Sequence, residues 1–161
     1  MNKVIGLDFG TTNSAIAVAA QDSGASLARF GDINSFRSIL YFPHRDRKSE
    51  VKAETKAGPE AIDSYLDADT KGRLILSVKS YLASRLFSTT QINGRYYTLE
   101  DLIAIILRQL RNAAIEQFSV EASKVVLGRP VRFAGAENEA DEALALERMT
   151  TAALQWRKSL P

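Results

Sequence analysis

The amino-acid sequence predicts an α/β protein, a mixed β-sheet with flanking helices. Short runs of β-forming residues at 3–9, 14–20 and 25–30 lie close enough together to pair as a meander. A long amphipathic helical pattern then extends from 99 to about 118. A further apolar run at 124–127 precedes a second helix-forming stretch over 137–156. A strand that follows the long helix returns parallel to the first strand through a right-handed crossover, so parallel and antiparallel pairing share one sheet.

Each element has a local reason. Val4, Ile5 and Leu7 supply the first strand, and Ile16 and Val18 supply its return. Asp22-Ser23-Gly24 is a turn signal before the third strand. The apolar segment 38–42 stops at Pro43, and the polar, charged stretch to Lys56 reads as a loop or an edge hairpin. Pro59 opens a short helix, where its missing N–H is tolerated, and Ala61, Ile62, Tyr65 and Leu66 follow at helical spacing. Another short helix is expected over 76–83. Residues 90–98 form a hairpin, because Asn93-Gly94 suits a two-residue primed turn. Thr98 caps the long helix, with Glu100 and Asp101 at the positive end of its dipole. Ile103, Ile106, Leu107, Leu110 and Ala114 form that helix's buried stripe. Gly128 and Pro130 end the strand at 124–127.

Composition narrows the function classes. At 161 residues the chain is long enough for one domain with a substantial core and short for two. Its 45% hydrophobic and 25% charged content is that of an ordinary globular protein. A net charge of +2 gives no ground for a nucleic-acid or membrane partner. No apolar run approaches the ~20 residues of a membrane-spanning helix, and Asp8 interrupts the N-terminal segment where a signal peptide would need an apolar core. Cysteine is absent, which excludes disulfides, thiolate metal sites and cysteine nucleophiles and fits a cytoplasmic protein. The single histidine, His44, reads as a solvated loop residue. Arg45, Arg47 and Lys48 beside it lack the interleaved aromatics of a nucleic-acid patch.

The most informative segment is Val4-Ile-Gly-Leu-Asp-Phe-Gly-Thr-Thr-Asn-Ser-Ala-Ile-Ala-Val18, a strand, a tight turn and a returning strand. Gly10 permits close backbone approach to a ligand. Successive N–H groups of such a turn can converge on anionic oxygens, and the hydroxyls of Thr11 and Thr12 can donate to the same oxygens. Asp8, at the strand end, is placed to hold a hydrated Mg²⁺ that neutralises phosphate charge.

This segment resembles the first phosphate motif of the actin-like (ribonuclease H-like) ATPase superfamily, and within it is most similar to the seventy-kilodalton heat-shock, or DnaK, family of chaperones. Four further segments agree in order: Ser38-Ile-Leu-Tyr-Phe-Pro43, Ala57-Gly-Pro-Glu-Ala61, Val78-Lys-Ser-Tyr-Leu82 and Val125-Val-Leu-Gly-Arg-Pro-Val-Arg-Phe133. The Gly-Arg-Pro form is similar to a shorter, divergent bacterial branch. The resemblance implies an ATP- or ADP-binding, ATP-hydrolysing lobe with a core at 1–42 and 98–161 and an inserted subdomain at 43–97. It implies that Asp8 lies near Mg²⁺ through water and that Gly10, Thr11, Thr12 and Asn13 contact the β- and γ-phosphates. Lys79 would be the catalytic cation directed at the γ-phosphate, where phosphoryl charge develops. Pro130 would belong to a hinge that relays nucleotide state, with Arg132 standing where the family has an aromatic residue. Unfolded polypeptides and co-chaperones are the implied partners of the full-length protein, with no nucleic acid and no membrane.

Parts of the family's nucleotide site are not found in the 161 residues. The family's second phosphate hairpin and its adenosine motif need adjacent glycines, and none of the 9 glycines here adjoins another. The family's Glu-Pro-Thr segment with its catalytic glutamate is missing as well, and the segment from Gln155 to Pro161 departs from the expected Ala-Gly-Phe end. The sequence therefore reads as a first lobe, inactive by itself, with an exposed apolar surface and an open sheet edge. A carbohydrate kinase of the same superfamily is the alternative, which would add a sugar-binding acid or arginine in the insert. The matches at 57–61 and 128–133 favour the chaperone. An actin-like filament protein is a third reading, distinguished by nucleotide-dependent sedimentation. Asp8-Phe-Gly is also the metal motif of protein kinases, but there it follows a Gly-rich loop and a catalytic loop, and here it opens the chain.

Overall fold

The computed structural model describes residues 3–21, 24–44, 54–120 and 124–157. Strands β1 (Lys3–Asp8) and β2 (Asn13–Ala20) form an antiparallel hairpin with Ile5 opposite Val18 and Asp8 opposite Ala15. Alternation sorts the side chains, so Ile5, Leu7, Ser14, Ile16 and Val18 all face the core. β3 (Gly24–Leu27) adds antiparallel to β2. It is shorter than the expected 25–30, because Phe30 N–H donates to Ile33 O at 2.7 Å and the chain doubles back there.

Of the apolar segment expected at 38–42 only Leu40–Phe42 is strand, and the short strand just before it belongs to another sheet. β4 (Phe36–Arg37) pairs with the start of β2. β5 (Leu40–Phe42) instead joins β6 (Lys56–Ala57) and, beyond helix α1 (Pro59–Asp67), β7 (Arg73–Ile75), in the order β6-β5-β7. Pro59 opens α1 as expected, and Ala61 is its buried residue. The exposed His44 fits a solvated loop residue, while Arg45, Arg47 and Lys48 lie outside the described residues.

The helix expected over 76–83 is only a 3₁₀ turn, Val78–Tyr81. Ser77 sits at φ 55, in the left-handed region that an α-helix of L-residues does not pass through. Buried Val78, the first residue of the turn, and buried Leu82, just after it, pin the turn to the core. β8 (Thr89–Ile92) and β9 (Arg95–Thr98) form the expected hairpin, with Asn93 and Gly94 both at positive φ.

Helix α2 (Leu99–Phe118) begins with a full capping box, Asp101 N–H on Thr98 Oγ1 at 3.2 Å and Thr98 N–H on Asp101 Oδ2 at 3.0 Å. Ile103, Ile106, Leu107, Leu110 and Ala114 are all buried, as the periodicity predicts. The chain then enters β10 (Val125–Gly128), which runs parallel to β1 with Ile5 opposite Val125 and Asp8 opposite Gly128. The resulting mixed sheet has the order β10-β1-β2-β3, with β4 also on β2. Helix α3 (Glu139–Leu154) packs on α2 and continues as a short 3₁₀ turn, Gln155–Arg157, so the α-helical part ends before the expected 156. Val78, Leu82, Ala83 and Ile92 join the same buried cluster as Ile5 and Phe9, so the segment 43–97 shares its core with the main sheet.

At the sheet edge, β10 exposes Val125 and Val126 and borders an apolar groove of about 680 Å³ walled by Leu107, Leu154 and Trp156. Among the described residues no helix is long and apolar enough to cross a membrane.

Candidate functional site

Three segments meet where β1 and β10 end. Asp8 is exposed at the last position of β1, between Ala15 on β2 and Gly128 on β10. Phe9, fully buried, anchors the chain as it leaves the sheet. Gly10 follows in a space that admits no side chain. A Cβ there would collide with the carbonyl oxygen of Asn13 and stand 3.1 Å from its carbon.

The turn is held from beneath by a closed ring of hydrogen bonds. Gly10 N–H donates to Ser14 Oγ at 3.2 Å, and Ser38 Oγ donates to Gly10 O at 2.9 Å. The two hydroxyls are 2.8 Å apart. Because the Ser38 proton goes to a carbonyl, which has none to give, Ser14 donates to Ser38 and the ring closes. Ser38 N–H adds a bond to Thr12 O at 2.9 Å, and Arg37 Nη1 donates to Asn13 Oδ1 at 3.1 Å. Ser14 and Ser38 are 2% and 1% exposed, so the bond between their hydroxyls is buried and the two bonds to Gly10 are partly so.

With the turn fixed this way, Thr12 and Asn13 are exposed and Thr11 is half-buried. Among the described residues the N–H groups of Thr11 and Thr12 meet no protein acceptor. Two free backbone donors beside two hydroxyls make a donor set suited to anionic oxygens.

Lys79 arrives from 70 residues away and donates through Nζ to Phe9 O, with the ammonium 5.6 Å from the centre of the Phe9 ring. Burial pulls its pKa below the ordinary lysine value, while the Asp8 carboxylate pulls it the other way. Asp8, the Gly10–Asn13 turn and Lys79 therefore occupy one corner of the molecule. Pro130 is half-buried and Arg132 exposed just past β10. Among the described residues no cluster of three or more His, Asp or Glu side chains could hold an ion. A Mg²⁺ ion at Asp8 would rely on water and phosphate oxygens, which is how Mg²⁺ is commonly bound.

Sequence reasoning did not single out Ser14, Ser38 or Arg37. Ser14 did carry a signal, since period-two alternation puts it in the buried register of Ile16 and Val18, where a hydroxyl needs a partner. Ser38 and Arg37 carried none, because their partners are 24 residues away. Replacing Ser38 with Ala leaves the buried Ser14 Oγ and the half-buried Gly10 O short of partners. Ser38→Ala should lower stability by about 1–3 kcal/mol in urea unfolding. The exposed Thr12→Ser should stay within about 0.5 kcal/mol of the parent.

The fold and this corner define a class, a mixed-sheet α/β protein with a glycine–threonine turn and a lysine delivered to it from a distant segment. No family model matches the chain.

Proposed function

We propose that this chain is the first lobe of a chaperone-type ATPase of the seventy-kilodalton heat-shock family, which uses ATP to control its hold on unfolded polypeptides. The observation that carries the reading is the placement of Lys79 at the Phe9 carbonyl, one residue from the Gly10–Asn13 turn. Core packing of Phe9 and Val78 brings the two segments together, and a cation delivered there suits the charge of a phosphoryl group. Thr11 and Thr12 would hold phosphate oxygens through N–H and hydroxyl groups, and Asn13 would add its side chain. Asp8 would orient a hydrated Mg²⁺. Bound magnesium ATP supplies the transferable phosphoryl group. Lys79 would give up the Phe9 carbonyl to balance charge at that group.

Over these 161 residues one phosphate hairpin faces the nucleotide, so affinity should be low. Titrating magnesium ATP into ¹⁵N-labelled chain should move the amide resonances of Gly10, Thr11, Thr12 and Asn13 at roughly millimolar concentrations. The β8–β9 hairpin amides should stay still. Turn resonances that do not respond would overturn the phosphate site. Tight Mg²⁺-dependent binding by calorimetry would overturn the half-site assignment. The DNA beyond codon 161, read in three frames, separates the chaperone from a sugar kinase. A β-rich C-terminal domain supports the former and a second kinase lobe supports the latter.

A further inference from the structure

Lys79 sits on a turn with little regular structure of its own, and the side chain that holds this turn comes from α3. Arg148 Nη1 donates to the carbonyls of Tyr81, Leu82 and Ser84 at 3.3, 3.1 and 2.8 Å. Its Nη2 donates to Phe87 O at 3.0 Å, and its Nε lies 3.4 Å from Glu100 Oε1 at the start of α2. The Arg148 side chain is 15% exposed, and its bonds to Leu82, Ser84 and Phe87 are partly buried while that to Tyr81 is exposed. A second tie joins the same loop to the same helix, Arg85 Nε on Asp141 Oδ1 at 2.9 Å.

Four carbonyls turned toward one point repel one another unless a cation with several donors stands between them. Arginine has five N–H donors in a rigid fork, and lysine has three on a flexible stem. The first of these carbonyls is two residues after Lys79. Lys79 reaches the phosphate turn through one hydrogen bond to Phe9 O, and a shift of about 1 Å in its turn would break that bond.

We propose that Arg148 is a positioning residue, which gathers the carbonyls of the 81–87 loop and so keeps Lys79 Nζ at the Phe9 carbonyl beside the Gly10–Asn13 turn. Its consequence for anion binding rests on the phosphate reading given above; its effect on Lys79 does not.

The experiment separates the two. In the parent chain, NMR should show NOE contacts between the Lys79 ε-methylene and the Phe9 ring, with a ring-current shift on that methylene. Arg148→Ala should remove both while the β1–β2 resonances persist. Arg148→Lys, which keeps a cation beside Glu100 but satisfies fewer carbonyls, should weaken them and decides the matter if the alanine variant does not fold. Unchanged Lys79–Phe9 contacts in a folded variant overturn the proposal. The second arm titrates magnesium pyrophosphate and follows the turn amides. Arg148→Ala should weaken binding about tenfold, and should add nothing in a Lys79→Met background. Equal losses with and without Lys79 overturn the positioning role. No response in the parent chain overturns the phosphate reading and leaves the NOE arm to judge Arg148.

Discussion

Gly10→Ala should destabilise the chain by about 3 kcal/mol and, on the proposed phosphate role of the turn, abolish its response to magnesium ATP. The new methyl carbon would stand where the Asn13 carbonyl oxygen is, and that oxygen belongs to backbone, which cannot swing aside like a side-chain tip. Relief requires the turn to open, and opening pulls Gly10 N–H and O away from Ser14 and Ser38. A ring of three hydrogen bonds, built on two buried hydroxyls, then loses two of them together. Both effects follow from one displacement, so a variant that keeps the parent's urea midpoint and its turn response would contradict the described geometry. Gly6→Ala is the useful comparison, because a Cβ there meets nothing within 4 Å.

Ile106→Ala should cost about 3–4 kcal/mol through the core alone. Ile106 is fully buried on α2, in the cluster that joins the sheet to α3. Deleting three side-chain carbons there leaves a cavity that rigid neighbours on α2, β2 and α3 fill only in part. Urea unfolding should show a lower midpoint with an unchanged slope. Glu116→Ala, on the exposed face of the same helix, should change stability by less than about 0.5 kcal/mol. A loss of that small size at Ile106 would contradict the packing of α2 as described. Against a total stability on the order of 5–15 kcal/mol, the Ile106 loss is a large share.

Local chemistry made several elements readable before any coordinates. Asn93-Gly94 specifies its hairpin because both residues accept positive φ. Thr98 and Asp101 specify the start of α2 because each satisfies the other's backbone N–H. The apolar stripe from Ile103 to Ala114 needs only helical periodicity. The failures have the opposite character. Residues 76–83 have helical spacing but form a 3₁₀ turn, since Ser77 at positive φ breaks the helical path, and the carbonyls after the turn are taken by Arg148, 64 to 67 residues away from its nearest and farthest Nη1 partners. β7 and β6 are three and two residues long, too short for any alternation to register, and exist because β5 offers its edges to both. Of the apolar run expected at 38–42 only Leu40–Phe42 is strand, because the chain turns between Arg37 and Leu40, out of β4 and into β5, to place Ser38 under Gly10.

The sequence by itself determined the α/β class, the capping and turn positions, the stripe of α2 and the residue types of the glycine–threonine turn. Each of these follows from neighbours within a few positions along the chain. Only the tertiary structure decided that Ser14 and Ser38 lock that turn, that Lys79 reaches Phe9 and that Arg148 holds the loop after Lys79. Those contacts join residues 24 to 70 positions apart where side chains are involved across segments. A hydroxyl or guanidinium states in sequence only what it can donate. Which acceptor receives it depends on how the sheets and α3 pack.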